Sequence, residues 1–387
     1  MILKELHLTN FRNYSSLKIN FSPNVNIICG NNAQGKTNLI ESIYILGLVK
    51  SHRTSIDNSI IKSGMDRGKI KGVFEKNKIK TKYEVILENQ KKILKINNLE
   101  VKKLNEYLNN NINIIIFYPQ DLKIVQGSPE DRRDYLNIEL GQLSNNYLKI
   151  LLDYNKLLKI RNDYLKKMNM HIKVDLNYFD IITNYLIDKA IIICKMRNKF
   201  INELNLEAEK IFFDITNKSK FTILYKTNFY FKEEDSKKIM FEKYKENLEK
   251  EINIGSTLLG PHRDDLQLLL ENSDLKYFGS QGQQKIAVLS MKLSEIEIFK
   301  KYKETKPLIL LDDVFSELDN IKKKNIVKYL QENIQVIITT TDLKSINKKI
   351  CEKARIFKIK NGNLENIEEV EKWKIMNHIM MHQIFKF

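Results

Sequence analysis

Apolar and polar positions alternate from the first residues of the chain. Ile2, Leu3, Leu6 and Leu8 among polar neighbours predict a strand over 2–8. The run Val25-Asn26-Ile27-Ile28-Cys29 predicts a buried strand. Leu39, Ile40, Ile43, Tyr44 and Leu46 fall at helical spacing and predict a helix over 38–49. Short alternating runs over 69–75, 80–87 and 91–96, with Asn97-Asn98 as a turn, predict antiparallel hairpins. Ile112 to Tyr118 predicts another strand, stopped by Pro119.

The period then changes. Leu136, Leu140, Leu143, Tyr147, Leu151, Tyr154, Leu158, Arg161 and Leu165 step by three and four, which predicts helix from Pro129 to Met168. A second long helix is predicted over 175–217. Two long adjacent helices read as an antiparallel arm, with an amphipathic pair packed on a core as the alternative. A strand is predicted over 220–231 and charged helix over 233–250. Globular alternation returns after Gly255: strand at Asp265–Leu270, helix at Gln283–Tyr302, and short buried strands at Leu308–Leu311 and Val336–Ile338 with a Lys-rich helix between them. This is α/β alternation with a helical insertion.

At 387 residues the chain is too long for a single ordinary core, so two domains are expected. The expected division is a discontinuous head, 1–128 and 251–368, a helical arm domain, 129–250, and an unassigned C-terminal extension, 369–387. The formal net charge of +17 suits a polyanionic partner such as nucleic acid. An AT-rich genome is the other source of so many lysines. Cys29, Cys194 and Cys351 have no metal-ligand or CxxC spacing. No signal-peptide core and no apolar run long enough to cross a membrane is present, so a cytoplasmic protein is expected.

The chemistry begins at Gly30-Asn31-Asn32-Ala33-Gln34-Gly35-Lys36-Thr37, followed by Asn38. It matches G-x4-G-K-[ST] between a predicted strand and a predicted helix, the context a P-loop requires. Backbone N–H groups would curl around phosphates, Lys36 would pair the β- and γ-phosphates, and Thr37 would give its hydroxyl to Mg²⁺. Leu308-Ile309-Leu310-Leu311-Asp312-Asp313 reads as a Walker B strand. There Asp312 would hold Mg²⁺ through water and Asp313 would polarise the attacking water. Lys36 and Asp312 lie 276 residues apart, so an inserted domain interrupts the ATPase sheet, as in ABC- and SMC-type heads. Ser280-Gln281-Gly282-Gln283, just before a helix, resembles the ABC signature, which contacts nucleotide on the opposite subunit; a plain helix cap is the alternative. Ser316-Glu317-Leu318-Asp319 resembles the D-loop. Gln120 resembles the Q-loop residue that senses Mg²⁺ and water, with a surface polar residue as its alternative. Thr339-Thr340-Thr341 stands where transporters carry a switch His.

Further segments carry a family resemblance. Leu8-Thr9-Asn10-Phe11-Arg12-Asn13-Tyr14, the stretch Pro119 to Arg133, Leu259-Gly260-Pro261-His262-Arg263-Asp264-Asp265 and Leu311 to Asp319 together resemble the RecF family. Departures from its pattern stand at Gln120, Asn137, Lys285 and Ile326. The resemblance runs from residue 1 to about 365. It implies an α/β fold, an ABC/SMC-type P-loop ATPase head with an inserted helical arm domain. It also implies an ATP-dependent homodimer that clamps duplex DNA and single-strand gap junctions in recombinational repair, replication restart and the SOS response. RecR would be a direct partner and RecA an indirect one, and a weak ATPase would act as a release timer.

Two other classes fit less well. An OLD-like enzyme would need a nuclease domain, and only about seventy residues follow Asp313, short of a typical domain. An SMC-like structural ATPase would need hundreds of coiled-coil residues, and a transporter subunit a switch His. DNA-contact candidates are Arg53 after the P-loop helix and Lys166, Lys167, Lys195 and Arg197 on the helical arm.

Overall fold

The computed structural model describes residues 1–54, 56–88, 91–108, 112–216, 220–303, 306–314, 334–346 and 348–368. The chain forms two compact units, Met1–Asp121 with the chain from Glu295 onward, and Leu122–Ser294. The expected boundaries at 128/129 and 250/251 therefore move: residues 251–294 group with the helical unit, since their strand pairs with one from that unit (below).

The first unit starts with β1 (Ile2–Phe11), β2 (Tyr14–Asn20), β3 (Val25–Cys29) and α1 (Lys36–Leu48). Then come β4 (Arg67–Lys76), β5 (Ile79–Glu88), β6 (Lys91–Ile96), β7 (Leu99–Val101), α2 (Leu104–Leu108) and β8 (Ile114–Phe117). The second unit holds α3 (Lys123–Gln126), α4 (Pro129–Leu143), α5 (Asn145–Asn169), α6 (Leu176–Thr216), β9 (Phe221–Lys226), α7 (Ser236–Glu246) and α8 (Leu248–Ile254). It continues with β10 (Asp265–Leu270), β11 (Ser273–Asp274), α9 (Leu275–Phe278) and α10 (Gln281–Tyr302), within which the boundary falls. The first unit resumes with β12 (Leu308–Asp312), β13 (Val336–Thr340), β14 (Ala354–Lys360) and β15 (Asn363–Glu368).

Two six-stranded sheets build the first unit. One, ordered β2-β1-β4-β5-β6-β7, is antiparallel throughout. The other is ordered β15-β14-β3-β13-β12-β8 and is parallel except for its edge strand β15. A shared core runs from Leu3, Leu6 and Leu8 through Leu39, Ile40 and Ile43 of α1 to Ile28, Ile337 and Phe357. α1 buries residues on nearly all its sides, which explains its weak amphipathic pattern. The parallel register sets Thr340 beside Cys29 and Asp312 beside Thr339. The chain therefore leaves β3, β12 and β13 at one sheet end, where ligands of open α/β sheets bind.

In the second unit the helix expected over 129–168 is two helices. Ser144 ends α4 and caps α5, its side chain accepting from Tyr147 N at 3.2 Å. α5 and α6 pack on each other, and α6 also packs on β9 and α7. β9 pairs with β10 in a three-stranded sheet and α6 packs on β9, so the inserted helical domain carries a core of its own beneath its paired long helices. β9 stops at Lys226, short of the expected 231. Buried ion pairs tie this unit together: Arg161–Glu251 at 2.7 Å, Arg197–Asp264 at 2.7 Å and Lys292–Glu139 at 3.0 Å. No helix among the described residues is long and apolar enough to cross a membrane.

Candidate functional site

The loop Gly30 to Gly35 joins β3 to α1, and α1 begins at Lys36. Gly35 has φ 113°, a conformation that favours glycine. The first helical hydrogen bond runs from Leu39 N to Gly35 O at 3.0 Å. The N–H groups before it open the helix and have no intrahelical acceptor, the arrangement that suits an anion. Lys36 is buried, with Nζ donating to Gly30 O at 2.7 Å and Asn31 O at 2.8 Å. Burial pushes its ammonium pKa down, against the pull of Asp313 and Asp312.

Thr37 Oγ1 donates to Asp312 Oδ1 at 3.1 Å, closing 275 positions of sequence. The same Oδ1 accepts from Thr339 Oγ1 at 2.6 Å, and Thr339 Oγ1 accepts from Asp313 N at 3.0 Å. Burial raises the Asp312 carboxyl pKa; the bonds from Thr339 and Thr37 oppose this and the charge of Asp313 adds to it. Asp313 adopts φ 54°, turning the chain out of β12. Gln120 is exposed and follows β8, whose register sets Phe117 beside Leu311, so it emerges at the same sheet end.

A polyphosphate with its metal fits these residues. The Thr37 hydroxyl and the Asp312 carboxylate are hard oxygen donors 3.1 Å apart, which suits a Mg²⁺ taken by Thr37 directly and by Asp312 through water.

Several supporting residues were not legible as such. Asn38 Nδ2 donates to Asn13 Oδ1 at 2.8 Å, and Asn38 Oδ1 accepts from Arg53 at 2.7 Å. Glu41, fully buried on α1, takes a bidentate pair from Arg12 at 2.7 and 2.9 Å, Ser51 Oγ at 2.6 Å and Arg53 at 3.3 Å. Burial raises the Glu41 pKa, but the hydrogen bonds from Arg12 and Ser51 and the charges of Arg12 and Arg53 outweigh it, and the net shift is downward. The signal in the sequence was the Phe11-Arg12-Asn13-Tyr14 segment, whose partners only the fold reveals. The bridge through Thr339 was equally hidden, because its place on the strand beside β12 is a matter of strand order.

In the second unit, Ser280 is the N-cap of α10. Its Oγ accepts from Gln283 N at 3.3 Å and its N donates to Gln283 Oε1 at 2.8 Å, a capping box that starts the helix two residues earlier than expected. Ser280, Gln281 and Gly282 are exposed, and a Cβ at Gly282 would meet only Ser280 Oγ at 4.0 Å. Tyr277 and Phe278 beside them are 73% and 78% exposed. Ser316, Glu317, Leu318, Asp319, Ile326 and the extension 369–387 lie outside the described residues.

The DNA-contact candidates do not form one set. Arg53 is engaged with α1 in the first unit. Lys166, Lys167 and Lys195 are exposed. Arg197 is a correction: it is 1% exposed, and its guanidinium is consumed by Pro261 O, Asp264, Tyr147 and Asn137 at 2.6–3.1 Å. Its charge on a long helix read as a surface basic residue, but α6 turns it inward to Asp264.

Residues 2–365 match the RecF/RecN/SMC N-terminal domain. A DNA replication and repair protein RecF of Latilactobacillus sakei is 38% identical over 369 residues, covering 94% of this chain and 98% of the relative. One from an Exiguobacterium species is 40% identical over 370 residues, 94% and 99% of the two chains. A solved structure of the recombination mediator protein RecF-ATP in the RecFOR pathway superposes with TM-score 0.87 at 33% identity, over 95% of this chain and 98% of that one. An Smc head domain from Pyrococcus furiosus, at 14% identity and TM-score 0.56, shares the fold.

Proposed function

The chain belongs to the RecF family within the RecF/RecN/SMC group, and from that premise we propose that it is an ATP-dependent DNA-binding protein of recombinational repair and replication restart. The observation that carries the nucleotide reading is the meeting of Thr37 with Asp312 across 275 positions, with Lys36 and Asp313 beside them. That set of groups is what phosphoryl transfer needs: donors for phosphate, oxygen ligands for a metal, and a carboxylate for water.

Bound ATP·Mg²⁺ supplies the γ-phosphoryl group whose presence or loss distinguishes two states of the protein. The N–H groups at the start of α1 and the Lys36 ammonium hold the phosphates. Thr37 and Asp312 hold the metal, with Gln120 emerging at the same sheet end. Asp313 takes the proton of the attacking water. Hydrolysis is weak and serves as a timer, not as metabolism.

The exposed start of α10 supports a second copy as partner. Ser280, Gln281, Gly282 and Gln283 offer a helix N-terminus to nucleotide held by the other subunit, and exposed Tyr277 and Phe278 offer apolar area for the contact. In this reading the ATP-bound homodimer clamps double- and single-stranded DNA at gap junctions, engages RecR, and through it aids RecA loading in the cytoplasm.

The test is the mass of an Asp313→Asn protein with and without ATP·Mg²⁺, then with gapped DNA. A monomer that becomes a dimer with ATP supports the clamp. A mass unchanged by ATP even with DNA present overturns it.

A further inference from the structure

The two hairpins nearest the ends of the described chain meet on the P-loop. Gln34 O accepts from Asn13 Nδ2 at 3.1 Å and from Gly362 N at 3.2 Å, while Gln34 Oε1 accepts from Asn361 N at 2.5 Å. One residue further, Gly35 O accepts from the Tyr14 hydroxyl at 2.9 Å. Asn13 and Tyr14 belong to the turn and first residue of the β1–β2 hairpin. Asn361 and Gly362 are the turn of the β14–β15 hairpin.

A trans peptide is planar, with C=O and the following N–H pointing opposite ways. Fixing the Gln34 carbonyl toward Asn13 and Gly362 therefore turns the Gly35 N–H away from both hairpins. Fixing the Gly35 carbonyl on Tyr14 and Leu39 turns the Lys36 N–H back toward the start of α1. These are the donors a phosphate chain would use. We propose that Asn13, Tyr14 and the Asn361–Gly362 turn are positioning residues that pre-orient the P-loop N–H groups and so set nucleotide affinity. The inference rests on the ATP-binding reading above.

Three observations make the grip specific. Arg12, whose φ is 51°, is pinned by Glu41 and by Ser59 O at 2.7 Å, so the turn that presents Asn13 is held from behind. Gly362 has φ 73°, and a Cβ there would come 3.1 Å from Asn13 O, so the two turns touch closely. Asn13 and Asn361 are exposed, outside the core, and hydrogen bonds of exposed groups add little to stability. What they fix is the direction of the loop. A preorganised site spends less of its interaction energy on ordering itself, so affinity follows from these contacts.

The experiment measures binding of ATP and of inorganic tripolyphosphate, the kinetics of hydrolysis, and thermal unfolding without nucleotide. It compares the wild type with Asn13→Ala, Asn13→Asp, Tyr14→Phe, the Asn13→Ala/Tyr14→Phe pair and Gly362→Ala. The expected result is a roughly tenfold loss of ATP affinity in the pair, the worth of about 1.4 kcal/mol, matched by the same loss for tripolyphosphate. KM should rise while kcat at saturating ATP is retained. The unliganded melting temperature of Asn13→Ala, whose side chain is exposed, should stay near that of the wild type. Tyr14→Phe removes a buried hydroxyl and Gly362→Ala strains a positive-φ turn, so both lower it somewhat, and their affinity losses should exceed what that accounts for. Asn13→Asp, which keeps the shape and the acceptor for Asn38 but replaces the donor with a negative charge beside the phosphates, should lose at least as much affinity as Asn13→Ala. Variants that bind both ligands as the wild type does would overturn the proposal. So would losses that track a lowered melting temperature, because they would mark a role in folding alone. A wild type that binds neither ligand would remove the ATP reading itself, and the clamp with it.

Discussion

The hydroxyl of Thr339 donates to Oδ1 of Asp312 at 2.6 Å, and its own oxygen, Thr339 Oγ1, accepts from the N–H of Asp313 at 3.0 Å, so one side chain on β13 holds both acids at the end of β12. Both partners are fixed by the parallel register that sets Thr339 beside Asp312. Thr339→Val keeps the branched shape and removes the bridge. It should destabilise the first unit by about 1–3 kcal/mol, the usual cost of stranding a buried polar group. It should also lower ATP turnover at least tenfold and raise the Mg²⁺ concentration needed, while Thr339→Ser retains most of both. Turnover measured against Mg²⁺ concentration, beside chemical unfolding, checks this.

Arg197 and its neighbours divide into structural and surface charge. Breaking the buried Arg197–Asp264 pair leaves an uncompensated carboxylate, so Arg197→Met should destabilise the second unit by about 3–5 kcal/mol. Lys166, Lys167 and Lys195 are exposed, and reversing all three to Glu should leave unfolding nearly unchanged. The triple variant should lose DNA affinity most at low salt, since phosphate contacts act through counterion release. ATP binding should persist. Equal loss of ATP and DNA binding would count against DNA contacts at these lysines.

His262 makes the second unit sensitive to acid. Its Nε2 lies 3.0 Å from Thr257 O, which can only accept, so Nε2 carries the proton and Nδ1 accepts from the Tyr154 hydroxyl at 2.6 Å. Burial, with Arg263, Arg133 and Arg161 nearby, lowers its pKa from 6.5 to about 4, against the bond to Thr257. The folded state thus binds fewer protons than the unfolded one between these values. The stability contributed is complete above pH 6.5 and is lost as pH falls toward 4, by up to about 3 kcal/mol. His52 in the first unit, also lowered to about 4 by burial, acts in the same direction. The readout is therefore the difference between wild type and His262→Gln in unfolding measured at several pH values. The variant should lose less stability than the wild type across that window.

Much of the fold was legible where local pattern and burial agree. The P-loop strand and helix, the hairpins around Asn97-Asn98 and the Walker B strand were all read from spacing, because their residues interact within a few positions or pack on one sheet. What was not legible depends on partners far away in sequence. Ser144 looked like one more polar residue in a long helical period, yet its backbone N–H closes one helix on Leu140 O and its hydroxyl caps the next. Arg161 fitted an apolar stripe for a reason the period cannot give: it is buried against Glu251, Thr183 and Thr257. Arg197 looked like surface charge because its partner, Asp264, stands 67 positions away. In the site, Lys36, Thr37, Asp312 and Asp313 were named from motif spacing, while Asn13, Tyr14 and Glu41 were not. Their roles arise only when strands from both ends of the chain close around the loop.

The division of labour between subunits gives the last prediction. Lys36, Thr37, Asp312 and Asp313 are brought together within one chain, whereas Ser280 and Gly282 are exposed at the start of α10. If nucleotide on one copy completes its shell with Ser280 of another, each composite site draws on two chains. A Lys36→Ala homodimer then lacks phosphate binding at both sites, and a Ser280→Arg homodimer places a bulky side chain at both. Mixing the two proteins produces heterodimers in which one site carries both defects and the other carries neither. At equal concentrations and with random pairing, half of all dimers should be of this kind, so about a quarter of the wild-type sites return. ATP hydrolysis should therefore recover to roughly a quarter of the wild-type rate in the mixture, although each protein alone is inactive. No recovery in a mixture shown by mass to contain heterodimers would place the complete site within one chain. The Ser280 capping box would then remain the whole of that residue's role.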